Sequence, residues 1–66
     1  MRIKVNGKEL EMEPGATLRG LIEKMGLGKS ACAAEVNREV VPRRGHESRE
    51  LREGDVVELV TLVGGG

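Results

Sequence analysis

Two stretches of alternating apolar and polar residues meet at Asn6-Gly7, and that dipeptide constrains the fold more than any other feature of the chain. Ile3 and Val5 alternate with Arg2, Lys4 and Asn6, the period-two pattern of a strand with one buried face. Over residues 8–13 the alternation resumes, with Leu10 and Met12 on one side and Glu9, Glu11 and Glu13 on the other. Both central residues of a type I′ turn need positive φ, which asparagine and glycine tolerate, so Asn-Gly between two such runs predicts an antiparallel hairpin. Its apolar face needs a cover.

The next segment supplies that cover. Pro14-Gly15 ends the second strand, and Thr17 is placed to cap a helix running from Leu18 through Met25. Leu18, Leu21, Ile22 and Met25 fall at i, i+3, i+4 and i+7, one apolar stripe. Gly26 is the expected residue just past the helix end, with Leu27 as the hydrophobic contact of a Schellman-type termination. Gly20 inside the helix costs up to about 1 kcal/mol relative to alanine, which points to close approach of helix and sheet. Beyond the loop at Gly28-Lys29-Ser30, Cys32, Ala34 and Val36 alternate with Ala33 and Glu35 as a third strand. Asn37-Arg38 forms a turn whose second residue is less suited than glycine, and Glu39-Val40-Val41 is a short fourth strand stopped by Pro42. Residues 43–52 are polar except for Leu51 and read as an exposed connection with a turn of helix. Glu53-Gly54-Asp55 turns the chain into a last strand, Val56-Val57-Glu58-Leu59-Val60-Thr61-Leu62, with the β-branched composition strands favour. One amphipathic helix against a mixed sheet of about five strands is an α+β layer architecture.

Sixty-six residues form one domain, and a domain of that size buries only about 60% of the surface its unfolded chain exposes. A core and a substrate cavity do not fit together, so an enzyme with its own pocket is not expected and function belongs on the surface or at an end. Eleven Lys and Arg balance eleven Asp and Glu, and there is no Phe, Tyr or Trp. Neither the attraction nor the stacking that nucleic-acid binding uses is available. No apolar run reaches membrane-spanning length and the polar start is not a signal sequence, so a cytoplasmic protein without membrane attachment is expected. Cys32 is the single cysteine, set among alanines, and reads as a small buried hydrophobe. His46 has no cysteine or second histidine near it in sequence, which argues against a metal site.

The sequence ends in Val63-Gly64-Gly65-Gly66. Glycine loses more backbone freedom on ordering than any other residue, so three in a row contribute nothing to a fold. They do suit a tail threaded through a narrow channel, reaching on the order of 13 Å beyond the strand when extended. The group such a tail delivers is the Gly66 carboxylate. An ionised carboxylate is a poor electrophile, so another protein has to activate it.

In this order and at this length, the pieces resemble the β-grasp fold of ubiquitin-like proteins, and within it the ThiS family of sulfur carriers in thiamine biosynthesis. The resemblance rests on Val5-Asn6-Gly7, Thr17-Leu18, Leu21-Ile22, Val36-Asn37, Val41-Pro42-Arg43, Gly54-Asp55-Val56-Val57-Glu58-Leu59-Val60 and the terminal Gly65-Gly66. Glu35, where such proteins usually have a small or apolar residue, Arg38 in place of glycine, and the third glycine at Gly64 depart from the pattern. The resemblance implies a β-grasp domain over residues 1–63 and a flexible glycine tail over 64–66. It further implies a carrier, not an enzyme, that binds no cofactor or metal itself. A ThiF-like adenylyltransferase, using ATP and magnesium, would activate Gly66, and a sulfur donor such as a cysteine desulfurase would convert it to a thiocarboxylate. A ThiG-like thiazole synthase would then take the sulfur. Gly64 and Gly65 would supply clearance. Relatives on the same fold that serve molybdopterin, cysteine or tRNA thiolation, or that act as protein modifiers, share these features, and a plain interaction domain with an incidental tail is the remaining alternative.

Alternation along the last strand adds one expectation. With Val57, Leu59 and Thr61 toward the helix, Val56, Glu58, Val60 and Leu62 face the other way. Val60 and Leu62, with Val40 and Glu58 beside them, would then form a docking surface near the tail. The alternative is that these valines pack beneath residues 43–52. The arginines at 43, 44, 49 and 52 read as a solvated face able to steer an acidic partner.

Overall fold

The computed structural model describes residues 1–28 and 32–61. Strands β1 (Arg2–Val5) and β2 (Lys8–Glu11) form the hairpin, α1 (Leu18–Lys24) crosses it, and β3 (Cys32–Val36), β4 (Glu39–Val41) and β5 (Val56–Thr61) complete a five-stranded sheet. A single 3-10 turn, Arg43–Gly45, interrupts the connection between β4 and β5. The strand order is β2-β1-β5-β3-β4. The last strand therefore lies in the middle of the sheet, parallel to β1 and antiparallel to β3.

The local chemistry behaves as the residues dictate. Asn6 and Gly7 have φ of 49° and 85°, the left-handed pair that a type I′ hairpin requires. The Thr17 hydroxyl accepts from the Gly20 amide at 3.1 Å and caps the helix. At the other end the Leu27 amide reaches the Ile22 carbonyl and the Gly26 amide the Glu23 carbonyl, both at 3.0 Å, with Gly26 at φ 79°. Those two bonds define a Schellman termination, and Leu27 packs against the core as such an ending demands.

The core lies between the helix and the inner face of the sheet. Ile3, Leu18, Leu21, Val36 and Val57 are its fully buried members, joined by Val5, Ile22, Ala34, Val41, Leu51 and Leu59. Each side chain of this kind contributes roughly 1.5–3 kcal/mol on burial.

Four expectations change. Met25 continues the apolar stripe by spacing but is 43% exposed, as the cap residue where the helix ends beside an open cleft against the hairpin. Gly20 does not mark a close approach, since a Cβ there would meet only the Thr17 hydroxyl at 3.6 Å. Residues 43–52 are not simply an exposed connection. His46 and Leu51 are buried, and the segment's backbone completes the helix start, with the Leu18 amide donating to the Arg49 carbonyl and the Arg19 amide to the His46 carbonyl, both at 2.9 Å. Two helix N–H groups that would otherwise lack partners are satisfied this way. Finally, Cys32 is half-buried, at the edge of the core.

His46 is the one buried polar residue among those described. Its Nε2 lies 3.1 Å from the Val41 carbonyl oxygen, so the ring fastens the connection to β4 and needs no metal to account for its burial.

Candidate functional site

β5 is held by two asparagine side chains, one from each hairpin turn. The Asn6 side chain accepts from the Leu59 amide at 2.9 Å through Oδ1 and donates to the Leu59 carbonyl at 3.2 Å through Nδ2. It extends the parallel pairing of β1 with β5 after the β1 backbone has turned away. Asn37 does the corresponding work at the other end of β5: Oδ1 accepts from the Val56 amide at 2.9 Å, and Nδ2 donates to the Asp55 carboxylate at 3.0 Å. Both asparagines have positive φ, 49° and 52°. An amide carries an acceptor and a donor side by side, which a glycine or aspartate in the same turn does not. Sequence reasoning explained these asparagines by turn conformation and missed their grip on β5; the signal was an amide, not glycine, at a left-handed position.

With its register fixed, β5 divides as alternation requires. Val57 and Leu59 enter the core, Thr61 is half-buried, and Val56, Glu58 and Val60 point to solvent. On this outer face Val60 is opposite Ala33, Glu58 is opposite Glu35, and Glu35 is in turn opposite Val40. Val40 is 67% exposed, Val60 59% and Val56 46%. The valines do not pack beneath residues 43–52, whose buried members His46 and Leu51 lie toward the helix. Ala33, Glu35, Val40, Glu58 and Val60 line one shallow depression. Of the residues proposed for docking, Val60, Val40 and Glu58 thus share one patch. Leu62 lies outside the described residues, as do Gly64, Gly65 and Gly66.

Among the described residues no group of three His, Cys, Asp or Glu side chains could hold a metal ion, and no helix is long and apolar enough to cross a membrane. The cleft against His46 and Cys32 has a volume of about 10 Å³, room for roughly one water molecule. Burial pushes the Cys32 thiol above its ordinary range, opposed in part by a backbone hydrogen bond at Val60. That direction suits a structural thiol and not a nucleophile. The arginines do not converge: Arg49 pairs with Glu39 at 3.1 Å, while Arg43 and Arg44 stand on the 3-10 turn.

A hairpin, one crossing helix and a sheet whose central strand is the last in sequence define a ubiquitin-like β-grasp domain with an apolar patch on its uncovered face. The sequence model of the ThiS family matches residues 2–66, and the chain belongs to that family. It is 39% identical over 62 residues to the sulfur carrier protein ThiS of Thermus thermophilus, covering 94% of this chain and 95% of that one. It is 38% identical over 66 residues to a thiazole synthase of Magnetococcus marinus, and spans 20% of the length of that protein. The crystal structure of the thiamine biosynthesis protein ThiS from Geobacter metallireducens superposes with a TM-score of 0.83 at 26% identity, each chain fully covered.

Proposed function

We propose that this chain is the sulfur carrier for thiazole formation in thiamine biosynthesis, acting in the cytoplasm, with Gly66 as its working terminus. A ThiF-like adenylyltransferase uses ATP and magnesium to join the Gly66 carboxylate to AMP, with loss of pyrophosphate. The outer sulfur of a persulfide formed by a cysteine desulfurase displaces AMP to give an acyl disulfide, and a thiol reductant cleaves its S–S bond, leaving the thiocarboxylate on Gly66 and a disulfide as the oxidised product. A ThiG-like thiazole synthase takes the sulfur and returns the carboxylate. Gly64 and Gly65 carry no side chain and let the terminus pass into each active site. The carrier contributes position and recognition, and its partners contribute catalysis.

The family match through residue 66 is the observation that carries this reading, because it includes the glycine tail in the family pattern. The thiazole synthases with a stretch similar to this chain support a synthase partner, since in those proteins both lie on one polypeptide. Docking is assigned to the outer face of β5 and its neighbours, through Val60, Val40 and Glu58, with Leu62 as the further residue the sequence pattern adds. Exposed apolar patches of this kind mark interaction sites.

Intact mass after incubation with the host's adenylyltransferase, ATP, magnesium, a cysteine desulfurase, cysteine and a thiol reductant tests the chemistry. The expected result is the mass gain of one oxygen exchanged for sulfur, confined to the C-terminal peptide and lost when Gly66 is deleted. No gain, with enzymes competent on a control carrier, refutes it. Val60→Asp tests the patch: adenylation slows while the fold is retained, and unchanged activation kinetics would remove the assignment.

A further inference from the structure

Among the described residues, charged pairs set directly opposite each other on the outer face of the sheet are complementary except at one position. Arg2 is opposite Glu11, with Nε 3.3 Å from Oε1, and Lys4 is opposite Glu9. Glu35 and Glu58, by contrast, are direct antiparallel partners on β3 and β5. Like charges in that relation are destabilising, because their Cβ atoms lie only about 4.5–5.5 Å apart. Among the described residues neither carboxylate forms an ion pair. The pair sits among Val40, Val60 and Ala33. A local conflict kept in the middle of an exposed apolar patch is what a binding surface looks like when its complement is on another molecule.

We propose that the Glu35–Glu58 pair is the seat for an arginine side chain presented by the carrier's enzyme partner. A guanidinium offers five N–H donors in a planar fork and bridges two carboxylates in a way a lysine ammonium does not. Its aliphatic stem lies along Val40 and Val60, covering apolar surface while the head meets the charges. A second copy of this chain does not fit. A two-fold contact sets the same patch against itself and brings four carboxylates together. The face therefore selects a heterologous partner carrying arginine within an apolar surface, and rejects self-association.

This inference rests on the sulfur-carrier reading, and its test separates the two. Binding of the wild-type chain, Glu35→Gln and Glu58→Gln to the host's adenylyltransferase and thiazole synthase is measured by calorimetry at low and high ionic strength. Each glutamine variant is expected to bind at least one enzyme about tenfold more weakly, with a shallower salt dependence. Its thermal midpoint is expected to rise, since the repulsion in the free chain is gone. Tighter folding with weaker binding is a combination that simple damage to the domain cannot produce. Wild-type binding left unchanged by both substitutions overturns the arginine seat alone. Failure of the wild-type chain to bind either enzyme overturns the sulfur-carrier reading, and the seat with it.

Discussion

Replacing Asn6 by glycine isolates what its amide contributes to β5. Glycine keeps the backbone conformation at φ 49°, so the turn itself is not strained. What is lost is the pair of hydrogen bonds to the Leu59 amide and carbonyl, at 2.9 and 3.2 Å in a part-buried setting. A typical intramolecular hydrogen bond contributes about 0.5–1.5 kcal/mol net, and two together about 1–3 kcal/mol. The greater freedom of glycine in the unfolded chain adds up to about 1 kcal/mol, offset by relief of asparagine's left-handed conformation. The expected loss is therefore about 2 kcal/mol. In a domain of this size that lowers Tm by roughly 8–16 °C. Thermal unfolding followed by circular dichroism measures the shift, and hydrogen exchange gives its location, with the Leu59 amide accelerating more than the amides of β3. Asn6→Asp keeps the acceptor but points a carboxylate oxygen at the Leu59 carbonyl. That variant is expected to lose the bond to the Leu59 carbonyl while keeping the one to the Leu59 amide. If Asn6→Gly moves Tm by less than about 2 °C and leaves Leu59 exchange unchanged, the clamp does not hold the strand.

Gly20→Ala should stabilise the domain by about 0.5–1 kcal/mol, because the added methyl meets only the Thr17 hydroxyl at 3.6 Å and the helix gains propensity; denaturant unfolding that shows a loss would contradict the open space seen there. Arg38→Gly should also stabilise, by about 1 kcal/mol, since Arg38 holds φ 70° where a side chain is strained; the same titration reads it out. For Cys32, burial disfavours the thiolate, so alkylation by iodoacetamide at pH 8 should be several-fold slower than for a free thiol and should rise at higher pH. The sign for stability follows: with the folded-state pKa raised, the thiol's contribution is present below its ordinary value and is lost as pH rises through the folded one. Reaction at the free-thiol rate would contradict the burial.

Features set by neighbouring residues could be read from the chain directly. Asn6-Gly7, the Thr17 cap and the Gly26-Leu27 ending each depend on a few adjacent positions, and each stands where its residues put it. The split of β5 into core and solvent faces was equally accessible, because alternation has a fixed period. What escaped depends on distance along the chain. Nothing near His46 or Leu51 signals burial, which arises because their segment folds back over the helix start. The amide of Asn6 acts on a strand 53 residues away, and that relation exists only once β5 lies beside β1. The opposition of Glu35 and Glu58 likewise comes from register, and each glutamate alone looks like ordinary surface.

The central place of β5 has a consequence for how the protein is made. As a ribosome produces the chain, the first four strands and the helix emerge before the strand that joins them, for β1 and β3 touch only through β5. A chain that stops before Val56 lacks the centre of the sheet. The outer face of β5, with Glu58 set opposite Glu35, therefore comes into being only after the last strand has left the ribosome and entered the sheet.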